Sequence, residues 1–344
     1  MRLLSLLCLL LAASCVVPAQ EAGYAHAIDS LVAASSNPRP FSGVILIRQK
    51  GKTVLSRAYG MADSSTGTVL KPEDQFAILS NTKQMTAVLV LQEVEKGHID
   101  LHTPIRKYLP GLEQGWADTV TVDQLLNHTG GVVMPDRPLA FRPGTQFQYS
   151  NAGYALLAQI TERTSGRSYA TQIRTLFKKY GLKHSLFPDS SNQQNLVRGY
   201  RHRTDGSVTP VKGIVFSREQ VPFGGMIATA GDLALWNELL HNGKLLRPET
   251  YTQMVHYHIK NRHPVFGERE IGYGYGLRIN DEGAVKEYGH TGYAAEQGFT
   301  AVNLYYPASG TSVVILENQA YDNFDIAYYY EAAIRHIVLA SLGY

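Results

Sequence analysis

Hydrophobic positions recur along the chain either at the spacing of a helix, about 3.6 residues, or at the spacing of a strand, about 2 residues. The spacing changes from one segment to the next. A helix over about 22–35 is predicted by the spacing of Tyr24, Ala27, Ile28, Leu31 and Val32. Apolar runs at 44–47 and 53–55 flank Lys50-Gly51 and predict a β-hairpin. Further helices are predicted at about 80–96, 121–127, 151–166, 170–180, 230–242 and 248–256. Strands are predicted at about 273–279, 284–290, 297–306 and 311–317. A last amphipathic helix is predicted at about 323–341.

This order of elements predicts an α+β protein. Strands at both ends of the chain, with helices between them, imply a sheet built from both ends and a mostly helical domain inserted into it. The sheet part covers about 20–79 and 265–344, and the helical part covers about 80–264. Residues 20–344 are expected to form one interlocked unit.

The first residues have the pattern of a targeting segment. Arg2 gives a positive start, Leu3 to Ala13 form a short apolar core, and Val17-Pro18-Ala19 supplies small residues for cleavage. We therefore expect a signal peptide over 1–19 and an exported protein, periplasmic or secreted. Lipid attachment at Cys15 is the alternative. The apolar stretch is too short for a confident membrane span.

Composition narrows the classes of function. Cys8 and Cys15 are the two cysteines of the chain, and both lie in the predicted leader. The remaining chain thus has no cysteine nucleophile, thiolate metal site or iron–sulfur cluster. The 32 Lys and Arg residues nearly balance the 29 Asp and Glu residues, without a basic run, so nothing indicates a nucleic-acid partner.

The most specific chemical signal is Ser80-Asn81-Thr82-Lys83, which opens the predicted helix at 80–96. Residues three apart on a helix lie about 5–6 Å from each other between Cβ atoms, so Ser80 would lie beside Lys83. A serine becomes a nucleophile when a base stands next to it, and a neutral lysine can be that base. Its pKa must fall from about 10.4 to about 7 for half of it to be neutral, which burial and a neighbouring cation can achieve.

Two later segments carry groups that suit the same chemistry. Tyr149-Ser150-Asn151 offers a phenol that can transfer a proton and an amide that can bind a carbonyl, although a Ser-Asn pair before a helix is also an ordinary cap. His290-Thr291-Gly292 ends a predicted strand, where glycine lets a substrate backbone approach closely. The N–H groups of Ser80 and Tyr293 would together form an oxyanion hole.

In this order, the three segments resemble the motif set of the serine β-lactamases and penicillin-binding proteins. The surrounding sequence is most similar to the class C branch and its relatives: D-alanyl-D-alanine carboxypeptidases, family VIII esterases and D-amino-acid-specific peptidases. The similarity extends to the segments 125–131, 142–144, 149–154, 224–232 and 272–276. It implies the β-lactamase/transpeptidase-like fold, in which an antiparallel sheet is flanked by helices.

The resemblance further implies a serine hydrolase that uses no metal or cofactor. Ser80 would form an acyl-enzyme, Lys83 and Tyr149 would share the proton transfers, and water would then release the acyl group. The residues expected to bind substrate are Asn151, Arg278, His290, Thr291, Gly292 and Tyr293.

His290 is a departure from the pattern, because β-lactamases of this branch normally have a lysine there. A histidine with a pKa near about 6.5 is mostly neutral at pH 7, so its attraction for a substrate carboxylate is weak. Arg278, on a neighbouring predicted strand, could replace the missing charge by a bidentate contact. The alternative for Arg278 is an exposed strand residue.

The expected substrates are small esters or D-amino-acid peptides, with the stem peptides of peptidoglycan as the natural candidate. A class C-like β-lactamase and a penicillin-binding sensor without turnover are the alternatives. The motifs of α/β-hydrolases, zincins and nucleotide-binding enzymes are absent. His256, His258 and His263 are interpreted as residues of a surface loop rather than zinc ligands, and His128-Thr129-Gly130, a second copy of the third motif, is interpreted as structural.

Overall fold

The computed structural model describes residues 19–211 and 216–344. The predicted signal peptide, apart from Ala19, and the candidate lipid site at Cys15 lie outside the described residues. Within the described part, none of the helices combines the length and apolarity needed to cross a bilayer.

An eight-stranded antiparallel sheet forms the centre of the molecule, and the other strands of the described residues form three small sheets. In chain order, the strands of these sheets are β1 Gly43–Gln49, β2 Lys52–Tyr59, β3 Met61–Asp63, β4 Thr68–Val69, β5 Phe76–Ala77, β6 Tyr200–His202, β7 Val208–Pro210, β8 Ile227–Ala228, β9 Lys260–Asn261, β10 Ile271–Tyr273, β11 Arg278–Asn280, β12 Glu287–Ala294, β13 Phe299–Tyr306, β14 Thr311–Glu317 and β15 Gln319–Tyr321. The large sheet has the order β2-β1-β14-β13-β12-β11-β10-β9. Strands from the two ends of the chain meet where β1 pairs with β14.

Helices cover both faces of this sheet. They are α1 Ala19–Ala33, α2 Thr82–Glu95, α3 Val122–Leu126, α4 Asn151–Ser165, α5 Tyr169–Tyr180, α6 Val221–Gly224, α7 Ala230–His241, α8 Pro248–Met254, α9 Phe324–Ala327 and α10 Tyr329–Ser341. Strand alternation divides β1 between two cores: Val44 and Leu46 pack with the helices of the middle of the chain, whereas Ile45 and Ile47 pack with α1 and α10.

The helical part shares its core with the sheet. α2 is buried along almost its whole length and lies between the sheet and the other helices. Because α2 is buried in this way, its first turn, which contains Lys83, is held rigidly. Because one core runs through both parts, the predicted limits of the helical domain, about 80–264, stay a prediction.

Most predicted elements are present at or near their predicted limits. The strand predicted at 284–290 is β12, Glu287–Ala294, so His290-Thr291-Gly292 lies within the strand and not at its end, and the helix predicted at 323–341 is divided into α9 and α10. One further strand differs. The predicted strand at 273–279 is two strands, β10 and β11, joined by a turn. Gly276 in this turn has a φ of 72°, and a Cβ atom there would lie 2.7 Å from the backbone oxygen of Lys83. The glycine therefore lets the turn pack against the start of α2, where a continuing strand would be excluded.

Candidate active site

Ser80 lies in a 3-10 turn, Leu79–Asn81, that leads directly into α2. The residue before it, Leu79, has a φ of 50°, in the left-handed region that leucine rarely adopts. Such strain costs about 1–3 kcal/mol and persists only where the surrounding packing imposes it. Leu79 is buried, so the packing of the turn determines where the Ser80 hydroxyl lies.

Lys83 is fully buried, and its Nζ atom lies 3.2 Å from Ser80 Oγ. The amine donates to Asn151 Oδ1 at 2.8 Å and to the backbone oxygen of Phe223 at 2.7 Å. Burial lowers the pKa of Lys83 well below its usual range, and the charge of Arg278 acts in the same direction. A neutral amine has two N–H bonds, and both are used by these oxygens. Its lone pair is then left for the Ser80 proton, as a general base requires.

Tyr149 packs its ring against the same amine, with 4.6 Å between Lys83 Nζ and the ring centroid. Burial raises the pKa of Tyr149 to about 12, although a hydrogen bond with Ser80 and the charge of Arg278 oppose the change. The phenol is therefore protonated at neutral pH. This divides the two roles: Lys83 is suited to accept a proton, and Tyr149 to donate one.

The segment before α4 combines a helix cap with a contact to the amine. Ser150 accepts a hydrogen bond from the Gly153 N–H at 2.9 Å and so caps α4. Asn151 is the first residue of α4 and orients Lys83 through its side-chain oxygen. Asn151 is also exposed, and its contact with substrate stays a prediction.

β12 passes directly beside the nucleophile turn because residue 292 is glycine. A Cβ atom at Gly292 would lie 2.6 Å from Leu79 Cβ and 3.1 Å from the Ser80 nitrogen, closer than packed atoms allow. The backbones of Ser80 and β12 therefore approach each other, as the predicted oxyanion hole at Ser80 and Tyr293 requires. The Tyr293 ring packs on Phe324, with 5.3 Å between ring centroids.

Thr291 is held by a histidine that the sequence interpretation assigned to a surface loop. His263 is buried, and its Nε2 lies 2.9 Å from Thr291 Oγ1. The Val265 N–H donates to Nδ1 of the same ring, so Nε2 carries the proton of the neutral imidazole and donates it to Thr291. The Thr291 hydroxyl thus keeps its own proton, which can go to the neighbouring Tyr328 oxygen or to a substrate acceptor. His263 does lie in a loop, but the prediction of a surface position was wrong, because its ring packs against Phe266 and Tyr328 and contacts Thr291.

His290 is fully buried, and both ring nitrogens contact protein groups. Nδ1 lies 2.7 Å from the Thr291 backbone oxygen, and Nε2 lies 2.9 Å from the Tyr273 hydroxyl. Burial lowers the pKa of His290 well below its usual range, and the charge of Arg278 adds to this effect. His290 is therefore neutral, in agreement with the expectation that it attracts a carboxylate only weakly.

Arg278 is buried on β11, opposite Gly289 and so next to His290. It donates to Asn261 Oδ1 at 2.8 Å, and its Nε atom has no hydrogen-bond partner. In the part of the chain that the structure describes, no acidic residue pairs with it. The alternative of an exposed strand residue is wrong, since the guanidinium is buried between Asn261 and the ring of Tyr273, 5.6 Å from its centroid.

The second histidine-threonine-glycine segment lies in the wall of the site. The ring of His128 is 4.3 Å from that of Tyr149, and its Nε2 lies 3.1 Å from the Tyr273 hydroxyl. Sequence reasoning found neither contact, because both depend on how distant segments pack. Across residues 19–211 and 216–344, no group of three or more His, Cys, Asp or Glu side chains is arranged to hold a metal ion.

The chain is similar to known proteins over most of its length. A sequence model of the beta-lactamase family matches residues 28–336. Protein flp of Staphylococcus aureus strain N315 is 27% identical over 304 residues, which cover 80% of this chain and 59% of that protein. The chain thus spans about three fifths of the length of the curated relatives it matches.

Solved structures with the same fold include a penicillin-binding protein and an amidase. A penicillin-binding protein from Bacillus halodurans has a TM-score of 0.70 and 25% identity, over 85% of this chain and 96% of that one. A D-amino acid amidase from Ochrobactrum anthropi has a TM-score of 0.79 and 21% identity, over 94% and 98% of the two chains, and shows the fold alone. The predicted α+β fold, with an antiparallel sheet flanked by helices, is confirmed.

Proposed function

This chain belongs to the beta-lactamase family, and on that premise we propose that it is an exported serine hydrolase that forms an acyl-enzyme at Ser80. Its substrates are small esters or D-amino-acid peptides that carry a free carboxylate. The observation that carries the substrate class is Arg278, a buried guanidinium that has no acidic partner among the residues that the structure describes. Export rests on the leader pattern of Arg2 followed by Leu3 to Ala13.

Acylation begins with transfer of the Ser80 hydroxyl proton to Lys83 Nζ while Oγ bonds to the substrate carbonyl carbon. The carbonyl oxygen becomes an oxyanion that accepts hydrogen bonds from the N–H groups of Ser80 and Tyr293. When the bond to the leaving group breaks, Tyr149 donates its phenol proton to that group. The proton held by Lys83 then restores the phenol, and the amine is neutral again.

Deacylation uses the same neutral amine. Water attacks the acyl carbon and gives one proton to Lys83, and the bond from that carbon to Ser80 Oγ breaks. The serine oxygen takes the proton back from Lys83. The product is the free acid, and the site returns to its starting protonation state.

Arg278 supplies the positive charge that His290 lacks. A buried ion normally has a counter-ion, because burying an unpaired charge is costly. Around Arg278, however, the polar side chains that influence its pKa are tyrosines, not carboxylates. A substrate carboxylate would fill this place by accepting from the free Nε and from the Thr291 hydroxyl.

The comparisons support the choice of substrate class. One structural neighbour is named as a D-amino acid amidase and another as a penicillin-binding protein. These names describe the neighbours and not this chain. The first test therefore measures the reaction of this protein with a penicillin and with an ester.

The test of the proposed function is intact-mass measurement after incubation with a penicillin, beside hydrolysis of p-nitrophenyl acetate. We expect a mass adduct that requires Ser80, and loss of ester hydrolysis by at least about 1,000-fold in Ser80→Ala. Lys83→Ala should lose nearly as much, because the two residues act as a unit.

The other outcomes separate the alternatives. A permanent adduct without ester turnover would indicate a penicillin-binding sensor, and rapid release of opened penicillin would indicate a β-lactamase. Full ester hydrolysis in Ser80→Ala would refute the assignment of the nucleophile.

The role of Arg278 is tested with Arg278→Met on two substrates at a pH where activity is constant. For a peptide ending in D-Ala-D-Ala, KM should rise by about 10- to 100-fold, the usual effect of losing hydrogen bonds to a charged group. For p-nitrophenyl acetate, which has no carboxylate, the KM should stay the same. An equal loss on both substrates would contradict carboxylate binding.

A further inference from the structure

Three buried side chains form an unbroken line of hydrogen bonds behind the reacting groups. The hydroxyl of Tyr273 lies 3.1 Å from His128 Nε2 and 2.9 Å from His290 Nε2. All three side chains are at most 1% exposed. The line starts at His128, which is bonded to the backbone next to Tyr149, and ends at His290 on β12. It therefore connects the two sides of the site.

Backbone groups at the two ends determine the direction of every proton in this line. The Ser150 N–H donates to His128 Nδ1 at 3.1 Å, so Nδ1 is an acceptor and the proton of the neutral ring is on Nε2. At the other end, His290 Nδ1 lies 2.7 Å from the Thr291 carbonyl oxygen, which can only accept. The proton of His290 is therefore on Nδ1, and its Nε2 accepts from the Tyr273 hydroxyl.

His128 also holds the backbone on both sides of Tyr149. The Gln148 N–H donates to the His128 backbone oxygen at 2.9 Å, and the Ser150 N–H donates to its ring. To make both contacts, His128 adopts a φ of 63°, a left-handed conformation that persists only where packing imposes it. Tyr149 is thus fixed between two hydrogen bonds to a single residue.

We propose that Tyr273 and His128 are positioning residues: Tyr273 donates to Nε2 of His290, whose Nδ1–H tautomer is set by the Thr291 carbonyl, and His128 fixes Tyr149 against Lys83. A charged His290 would present a second N–H to the Tyr273 oxygen, which already accepts from His128, and the Tyr273 proton would lose its acceptor. The tautomers can be measured in the resting protein, whereas the effect on catalysis rests on the proposed function.

The experiment compares Tyr273→Phe with Tyr275→Phe, a matched control from the same glycine-tyrosine run. The Tyr275 hydroxyl donates to Asp123 at 2.5 Å and is not part of the line. Two-bond ¹H–¹⁵N correlation spectra at neutral pH distinguish the histidine tautomers, and His128→Asn and His290→Asn assign the two signals. We expect Nε2–H for His128 and Nδ1–H for His290 in the wild-type protein and in Tyr275→Phe.

In Tyr273→Phe, His290 should keep its proton on Nδ1 through the Thr291 carbonyl, but the ¹⁵N signal of Nε2 should shift because its hydrogen-bond donor is lost. The kcat for a peptide ending in D-Ala-D-Ala, whose amine leaving group must be protonated, should fall by about 10- to 100-fold with little change in KM, as expected when a proton donor is misplaced. Tyr275→Phe should keep the wild-type kcat.

Two results would overturn the proposal. The first is a wild-type His290 that is protonated on Nε2, which would mean that the Tyr273 proton points to the neighbouring Tyr149 hydroxyl instead. The second is a Tyr273→Phe variant with the kcat of Tyr275→Phe. If Tyr273→Phe does not fold, the tautomers of His128 and His290 in the wild-type protein are enough to support or overturn the proposal. If wild-type hydrolysis does not depend on Ser80, the proposed function fails while the tautomers can still be measured.

Discussion

At the scale of single residues, Lys83 and Arg278 respond differently to similar burial. The amine of Lys83 loses its proton easily when it is removed from water, because an ammonium ion is a compact and strongly hydrated charge. Burial also lowers the pKa of Arg278, but a guanidinium keeps its charge in proteins. The site therefore contains a neutral base and a permanent cation, although both side chains are basic.

The pH dependence of hydrolysis should report the folded-state pKa of Lys83. Only the neutral amine accepts the Ser80 proton, so activity is lost as pH falls through that lowered pKa. Because the charge of Arg278 contributes to the lowering, Arg278→Met should move this acid limb to higher pH on p-nitrophenyl acetate. Tyr149, with its pKa raised to about 12, should cause no alkaline loss below about pH 11.

The measurement is kcat/KM against pH for the wild type, Arg278→Met and Arg57→Met. Arg57 lies on β2 at the far edge of the sheet, so its removal changes the net charge equally without altering the site. An acid limb that stays in place in Arg278→Met would show that the field of Arg278 does not reach Lys83.

At the scale of elements, the proposed oxyanion hole depends on the approach of β12 to the 3-10 turn that precedes α2. Gly292→Ala would place a methyl group 2.6 Å from Leu79 Cβ and 2.9 Å from the Ile78 backbone oxygen. The strand must then move away from Ser80, and we expect kcat/KM to fall by about 100- to 1,000-fold, the usual effect of losing an oxyanion donor.

The control for this prediction is Gly115→Ala, because a Cβ atom at Gly115 meets nothing within 4 Å. Both variants should keep the far-ultraviolet circular dichroism of the wild type, so that the loss of activity is assigned to the site. Wild-type activity in Gly292→Ala would mean that the strand does not supply an oxyanion donor.

The elements that the sequence predicts well are those with a local signal. The spacing of Ser80 and Lys83 on one helix, and the hairpin at Lys50-Gly51, depend on residues near each other in the chain. The strands β6, β7 and β15 lack such a signal, since each has three residues and β15 pairs in parallel with the distant β6. The turn between β10 and β11 was missed because its apolar residues continue the strand pattern.

The same distinction holds for the site. The motif residues were identifiable from their types and order, whereas His263, His128 and Tyr273 take part only through tertiary contacts. His263 is bonded to Thr291, and Tyr273 bridges two histidines that lie far apart in the chain. No spacing rule predicts these contacts, because the sheet and the turn at Gly276 bring the partners together.

At the scale of the whole molecule, buried ion pairs join the two ends of the chain. Arg39, just before β1, makes a bidentate pair with Glu317 at the end of β14, with both N–O distances at 2.7 Å. Glu331 on α10 lies 3.3 Å from the same guanidinium. Burial and the charge of Glu317 raise the pKa of Glu331 well above its usual range. The bidentate geometry makes Glu317 the counter-ion of Arg39, and the raised pKa of Glu331 favours its neutral acid.

This assignment predicts opposite outcomes for two substitutions that are chemically identical. Glu317→Gln leaves Arg39 buried without a counter-ion and should reduce the free energy of unfolding by about 3–5 kcal/mol. Glu331→Gln replaces a neutral acid by a neutral amide of the same shape and should change it by less than about 1 kcal/mol. Urea unfolding at neutral pH measures both values. Equal losses in the two variants would contradict the assignment, since they would place the charge on both carboxyl groups. A large loss in Glu317→Gln alone would show that the closure of the sheet by the two chain ends depends on the ion pair of Arg39 with Glu317.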